Sequence, residues 1–346
     1  MSAEVGEVAR QAGTERSTSE CHDRYRSSTV SLCPAAVLLL GSISACSTIA
    51  APDHPRPPLP LPSHIAERYE LPGPVNEDYL VRLDERGRIS RGRLTCGDER
   101  PEFHVILPEV TPAPVLLCLP ILAGGERLMW HIADQMATRG FAVVWGKRVA
   151  SAMQSHQKVD DLEELMRRSI IHNRAVLTWA KTQSWADPRP ASIFGISTGG
   201  ILGGILLALE PDLGGGVLIL AGGDLPDLLM NSSESRIEKW RRKRSQTDDL
   251  NRPRLRELMC TKLLSDPART GPYVPTDKVL LVSANLDTVV LPRNQDLLWE
   301  ALGRPERLRM HLFSHYSSIL GLPSVLSRAD VFLKDRLAAP AQSPVR

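Results

Sequence analysis

Between residues 79 and 337 short apolar runs alternate with longer stretches whose apolar positions recur every three to four residues. The run 114–119 (PVLLCL) is apolar throughout, the pattern of a strand buried on both faces of a sheet. Residues 141–145, 191–196, 216–220, 279–284 and 308–313 predict further strands. Residues 79–83, 89–95 and 103–107 predict shorter ones, separated by turn-like segments such as 84–88. Helical periodicity covers 126–139, 159–182, 198–209, 293–302 and 322–337. Strands that alternate with helices imply a mostly parallel sheet with crossovers on both faces. The rhythm breaks at 230–275, which is polar, basic and compatible with helix, and predicts a lid-like insertion over the sheet. The tail, 338–346, is expected to be disordered.

Composition adds exclusions. The 346 residues are 42% hydrophobic and 24% charged, ordinary values for a chain that folds as one large domain with extensions. A net charge of +2 and only 5% aromatic residues give no basic, aromatic-laced surface for nucleic acid. Of the six cysteines only Cys96, Cys118 and Cys260 fall in the domain, without C-x-x-C spacing, so neither a disulfide framework nor a zinc site is expected. Cys118 lies in an apolar strand and reads as a small buried hydrophobe.

The N-terminal segment has another character. Residues 1–28 are polar and carry Arg24 and Arg26, and an apolar run follows at 30–45, centred on Leu38, Leu39 and Leu40 and interrupted by Pro34. It is too short to span a bilayer stably. A basic flank, a short apolar core and small residues before a cut are the parts of a secretory signal peptide, here 1–45. The run ends Ile43-Ser44-Ala45-Cys46, which resembles the lipobox of bacterial lipoproteins. That resemblance implies an exported protein of the cell envelope, lipid-anchored to a membrane at Cys46. A plain signal peptide is the other reading. Residues 46–63 are proline-rich and are expected to form a semi-rigid linker that holds a domain, 64–337, off the surface.

The strongest chemical signal is Gly195-Ile196-Ser197-Thr198-Gly199, at the junction of a predicted strand and a predicted helix. This is the layout of a nucleophile elbow, which lifts a serine hydroxyl above a parallel sheet. The serine sits in a strained backbone, so small flanking residues let strand and helix pass closely. The helix start points N–H groups and its positive end at the place where an oxyanion would form. A serine hydroxyl is a weak nucleophile at neutral pH and needs a histidine, usually oriented by a carboxylate. Downstream, His315 falls in a loop past the last strand, while His311 falls within that strand and is the fallback. Asp287 follows the apolar run VLLVSAN at a strand end, where active-site groups of open α/β sheets gather. Asp224 is the best alternative acid; Asp266, Asp277 and Asp296 also compete.

These residues resemble the α/β-hydrolase family, as serine esterase-like members, over roughly 113–337. The elbow GISTGG, the strand-end acid in ANLDTVVLP and the histidine in SHYSSIL carry the resemblance. It implies an eight-stranded, mostly parallel sheet flanked by helices, with the helical insertion after the sixth strand. It also implies Ser197 as nucleophile, His315 as general acid/base, Asp287 as orienting acid, and hydrolysis of a carboxylic ester or related acyl bond without metal or other cofactor. The oxyanion donors would be the N–H groups of Thr198 and of Leu122, with Ile121 the alternative. The family often carries His-Gly in that loop, where this chain has Pro120-Ile121. A peptidase or thioesterase with the same triad is an alternative, and so is a non-catalytic envelope lipoprotein that uses the fold for binding. The partners implied are a small acyl substrate and a membrane. The basic run 236–244 (RIEKWRRKR) reads either as a solvated helix face or as a lid touching anionic groups, with Trp240 as interfacial anchor.

Overall fold

The computed structural model describes residues 47–52, 56–122, 125–248 and 250–338. The apolar run 30–45, Cys46 and the tail from 339 onward lie outside the described residues. Among the described residues no helix is long and apolar enough to cross a membrane.

The strands are β1 (Ser47–Ala50), β2 (Val75–Arg82), β3 (Ile89–Cys96), β4 (Glu102–Ile106), β5 (Val115–Leu119), β6 (Ala142–Gly146), β7 (Ser192–Ile196), β8 (Gly215–Ile219), β9 (Val279–Ala284) and β10 (Glu306–Met310). The helices are α1 (Ser63–Arg68), α2 (Glu126–Thr138), α3 (Val159–Ala180), α4 (Thr198–Leu209), α5 (Leu225–Asn231), α6 (Ser235–Thr247), α7 (Arg252–Lys262), α8 (Pro267–Thr270), α9 (Pro292–Ala301) and α10 (Leu322–Ala338).

One mixed sheet runs in the order β1-β10-β9-β8-β7-β5-β6-β4-β3-β2. The six strands from β10 to β6 are parallel, and β4, β3 and β2 add an antiparallel meander. β5, β6, β8 and β9 are buried at every residue, as unbroken apolar runs require when helices cover both faces. α3 and α4 pack on one face of the sheet and α2 and α10 on the other, each with its own apolar core.

The sheet has ten strands among the described residues, two more than the eight implied by the resemblance. The strand that the sequence pattern gave no sign of is β1. It pairs antiparallel with β10, with Ser47 opposite Met310. Four residues at a sheet edge bury too little apolar surface to leave a hydropathy signature. Two described residues of the proline-rich segment, Arg56 and Leu59, bond to the domain as well. Leu59 N–H donates to Pro272 O (3.0 Å), and the Arg56 guanidinium donates to Ala301 O (3.0 Å).

The insertion consists of α5 to α8 between β8 and β9. Ile237, Trp240 and Arg244 form the inner stripe of α6, and Trp240 is fully buried. Its indole N–H donates to Gln157 O (2.7 Å), so Trp240 fastens the helix to the domain and is no interfacial anchor. Under the insertion, the buried Glu163 carboxylate on α3 accepts from Leu264 N–H, Ser265 N–H, the Ser265 hydroxyl and Arg68. That node ties α1, α3 and the segment after α7 together beneath the site.

A second node sits at the β3–β4 turn. Glu99 receives both arms of Arg168 (2.8 and 2.7 Å) and the ring N–H of His172 (2.6 Å). Arg168, above all, holds the Glu99 carboxyl down at about 2, against 4.5 when free. A carboxyl with a depressed folded pKa stabilises fully above its unfolded value. That stabilisation is lost as pH falls from about 4.5 toward 2. Glu99→Gln is expected to lower stability to urea at pH 7 and to narrow the difference from the parent protein at pH 3; equal losses at both pH values would contradict the assignment.

Candidate active site

The site is built at the C-terminal edge of the parallel strands. β7 ends at Ile196, and α4 begins at Thr198, so one residue makes the turn. That residue is Ser197, with φ 54° and ψ −118°, a conformation a non-glycine residue adopts only when its surroundings impose it. Ser197 N–H donates to Ile219 O (2.7 Å), and Ser197 O accepts from Ile201 N–H (3.0 Å), which pins the turn from both sides. The flanking glycines are required by close approach. A Cβ on Gly195 would run into the Gly199 carbonyl, and one on Gly199 would lie 2.5 Å from Leu119 O.

Asp287 sits in the loop after β9, its side chain removed from solvent. Its Oδ1 accepts from Val289 N–H (2.8 Å) and Val290 N–H (2.9 Å), closing a local turn. Its Oδ2 accepts from His315 Nδ1 (2.8 Å) and from Gln295 Nε2 (3.2 Å). His315 lies in the loop after β10, 10% exposed at the side chain. The Asp287 bond fixes the tautomer with the proton on Nδ1 and leaves Nε2 as a base.

Ser197, Thr198, Ile121, Leu122 and His315 all line one cavity of about 270 Å³. Its other walls are almost wholly aliphatic: Met166 and Leu162 from α3, Leu225, Leu228 and Leu229 from α5, Ile237 from α6, Leu263, Val289 and Val290. The insertion thus roofs the cavity. Glu234, also on the wall, is held by capping α6, its Oε2 accepting from Arg236 and Ile237 N–H. The Thr198 N–H belongs to the first turn of α4, whose donors have no acceptor within the helix. Residues 123 and 124, which follow Leu122, lie outside the described residues.

The competing residues are placed elsewhere. β10 stops at Met310, one residue before His311, which therefore sits in the turn rather than inside the strand. His311 is held at the sheet edge between Thr48 Oγ1 and Asn285 Nδ2, both at 3.0 Å. Asp224 caps α5 and Asp266 caps α8, both through backbone N–H groups. Burial, above all, raises the carboxyl pKa of Asp266. Asp277 pairs with Arg336, and Asp296 with Arg307 and Arg309. Cys118 is fully buried, and burial pushes its thiol well up, as expected of an inert packing residue. Among the described residues no cluster of His, Cys, Asp and Glu could hold a metal ion.

Gln295 is the site residue that the motif reading passed over. Its Oε1 accepts from Ala284 N–H (3.0 Å), and its Nε2 donates to Val290 O (2.6 Å) as well as to Asp287. It clamps the acid loop to the end of β9. A signal existed: Gln295, Leu298 and Leu302 share one helical stripe, which places a polar side chain on a buried face.

Comparison with known proteins bears on the fold. No family model and no curated protein matches the chain. Solved structures do. Acetyl xylan esterase from Paenibacillus sp. R4 superposes with a TM-score of 0.58 at 14% identity, covering 79% of this chain and 91% of that one. TT1662 from Thermus thermophilus gives 0.53 at 20%, covering 73% and 100%. The Pyrococcus horikoshii acylaminoacyl peptidase gives 0.52 at 16%, covering 74% of this chain and 43% of that longer one. The chain has an α/β-hydrolase fold. Identities this low carry the fold and nothing of the substrate, since one fold hosts esterases and peptidases alike.

Proposed function

We propose that this chain is a serine hydrolase that cleaves a carboxylic ester through an acyl-enzyme. Ser197 Oγ attacks the acyl carbonyl while His315 Nε2 takes its proton, and Asp287 steadies the imidazolium that forms. The Thr198 and Leu122 N–H groups hold the tetrahedral oxyanion. His315 then protonates the leaving alcohol, and water attacks the acyl-serine by the same route. No step calls for a metal or an organic cofactor. The observation that carries the reading is the His315–Asp287 hydrogen bond at a cavity that also exposes a serine with positive φ. We further propose that the protein is exported and anchored to a membrane through lipid on Cys46.

The cavity supports a preference for esters with an acyl chain longer than acetyl. Aliphatic walls of this extent reward each methylene that enters with about 0.8 kcal/mol, roughly a fourfold gain in kcat/KM. Across p-nitrophenyl esters from acetate to decanoate, kcat/KM is expected to climb and then level off as the cavity fills. Met166→Trp should move the plateau to shorter chains while sparing the acetate. A preference for acetate in the parent protein would contradict this reading of the cavity. Hydrolysis of acyl-amide or thioester substrates far above the matched oxygen esters would move the assignment to a peptidase or thioesterase.

A further inference from the structure

We propose that the rim of the cavity mouth is a lipid-docking surface whose occupant is a bilayer. The inference rests on the proposed anchoring at Cys46 and adds to it an orientation. Two loops form the rim, those after β9 and β10, joined by the bond from Leu286 N–H to Phe313 O (3.0 Å). They carry Leu286, Leu312, Tyr316, Ile319 and Leu320, each more than half exposed. A single exposed apolar side chain is ordinary; five on adjoining loops mark an interaction surface. Tyr316 and Ile319 also line the cavity, so the patch runs without a break into its mouth.

What covers the patch follows from where the chain enters the sheet. Ser47 lies opposite Met310, and the Thr48 hydroxyl bonds His311, which in turn bonds Asn285. The first residue of β1 therefore stands at the same rim. Residue 46 is its covalent neighbour. Consecutive Cα atoms lie about 3.8 Å apart and paired strands about 5 Å apart. Ser47 is thus on the order of 12 Å or less from Leu312. The proline-rich residues that would have supplied slack follow β1 instead of preceding it, and Arg56 and Leu59 among them are themselves docked. A lipid at Cys46 holds this rim, and no other face, against the membrane. The cavity mouth then opens onto the bilayer, and its substrates are amphiphilic acyl esters taken from the lipid surface.

The test places a tryptophan at Leu320, exposed on the rim outside the cavity wall, and in a second protein at Val110, 78% exposed at the opposite end of the sheet. The mature chain, lipidated at Cys46, is reconstituted in phosphatidylcholine vesicles with brominated acyl chains. The added emission of Leu320→Trp is expected to fall more than twofold relative to unbrominated vesicles, and that of Val110→Trp to stay unchanged. Equal quenching at the two positions, in a chain that floats with the vesicles, overturns this inference alone. A chain that does not float overturns both the anchor and the rim. Blue-shifted emission at Leu320→Trp before vesicles are added gives the rim to a second copy, if the protein is a dimer, or to another part of the same chain, if it is a monomer, and likewise overturns it.

Discussion

Ser197→Ala is expected to lower kcat for p-nitrophenyl ester hydrolysis by about 10⁵- to 10⁶-fold, the loss that follows removal of a triad nucleophile. The fold should survive. Alanine adds no volume at a position where the structure already accommodates a Cβ. The conformation there (φ 54°) is set by the Ile219 and Ile201 bonds, which involve the backbone alone. Circular dichroism and the melting temperature of the variant should therefore match those of the parent. Residual turnover in the variant should have the same KM, because Thr198, Leu122 and the aliphatic walls are untouched. Parent-like kcat in a folded variant would end the serine assignment.

Asp287→Asn is expected to cost about 10⁴-fold in kcat with little change in KM. The reason is local. An asparagine keeps one carbonyl oxygen, which can still accept from Val289 and Val290 N–H, so the loop persists. Its amide nitrogen then faces His315 Nδ1, and a donor there demands that Nδ1 be unprotonated. The proton moves to Nε2, the atom that must accept from Ser197. The same amide also meets Gln295 Nε2, donor against donor, in place of the 3.2 Å bond. Steady-state kinetics on the folded variant check this. A loss in KM rather than kcat would point to a collapsed loop instead of a wrong tautomer.

The elbow was legible in the chain because a single backbone residue with positive φ between a strand and a helix imposes glycine on its neighbours, and glycines are visible as letters. The central strands were legible for a related reason: burial on both faces leaves no polar position in a run such as VLLCL. His315 and Asp287 could be singled out by their place just past strand ends, and the structure brings those two into hydrogen-bond contact. Gln295 was harder, since its role depends on two backbone groups that only the folded loop supplies. β1 was invisible because a short edge strand is held by backbone bonds to β10, which any sequence can make. Of the two readings of 236–244, the one with Trp240 as interfacial anchor fails because a basic helix conceals which of its faces is turned inward; Ile237, Trp240 and Arg244 form that face.

The central claim, that the fold makes the hydroxyl of Ser197 reactive, is tested most directly by labelling the folded protein with a fluorophosphonate and mapping the adduct by peptide mass spectrometry. The account predicts one stoichiometric adduct on Ser197, lost in Ser197→Ala and slowed strongly in Asp287→Asn. An unlabelled folded protein, or an adduct on another residue that persists in Ser197→Ala, would contradict it.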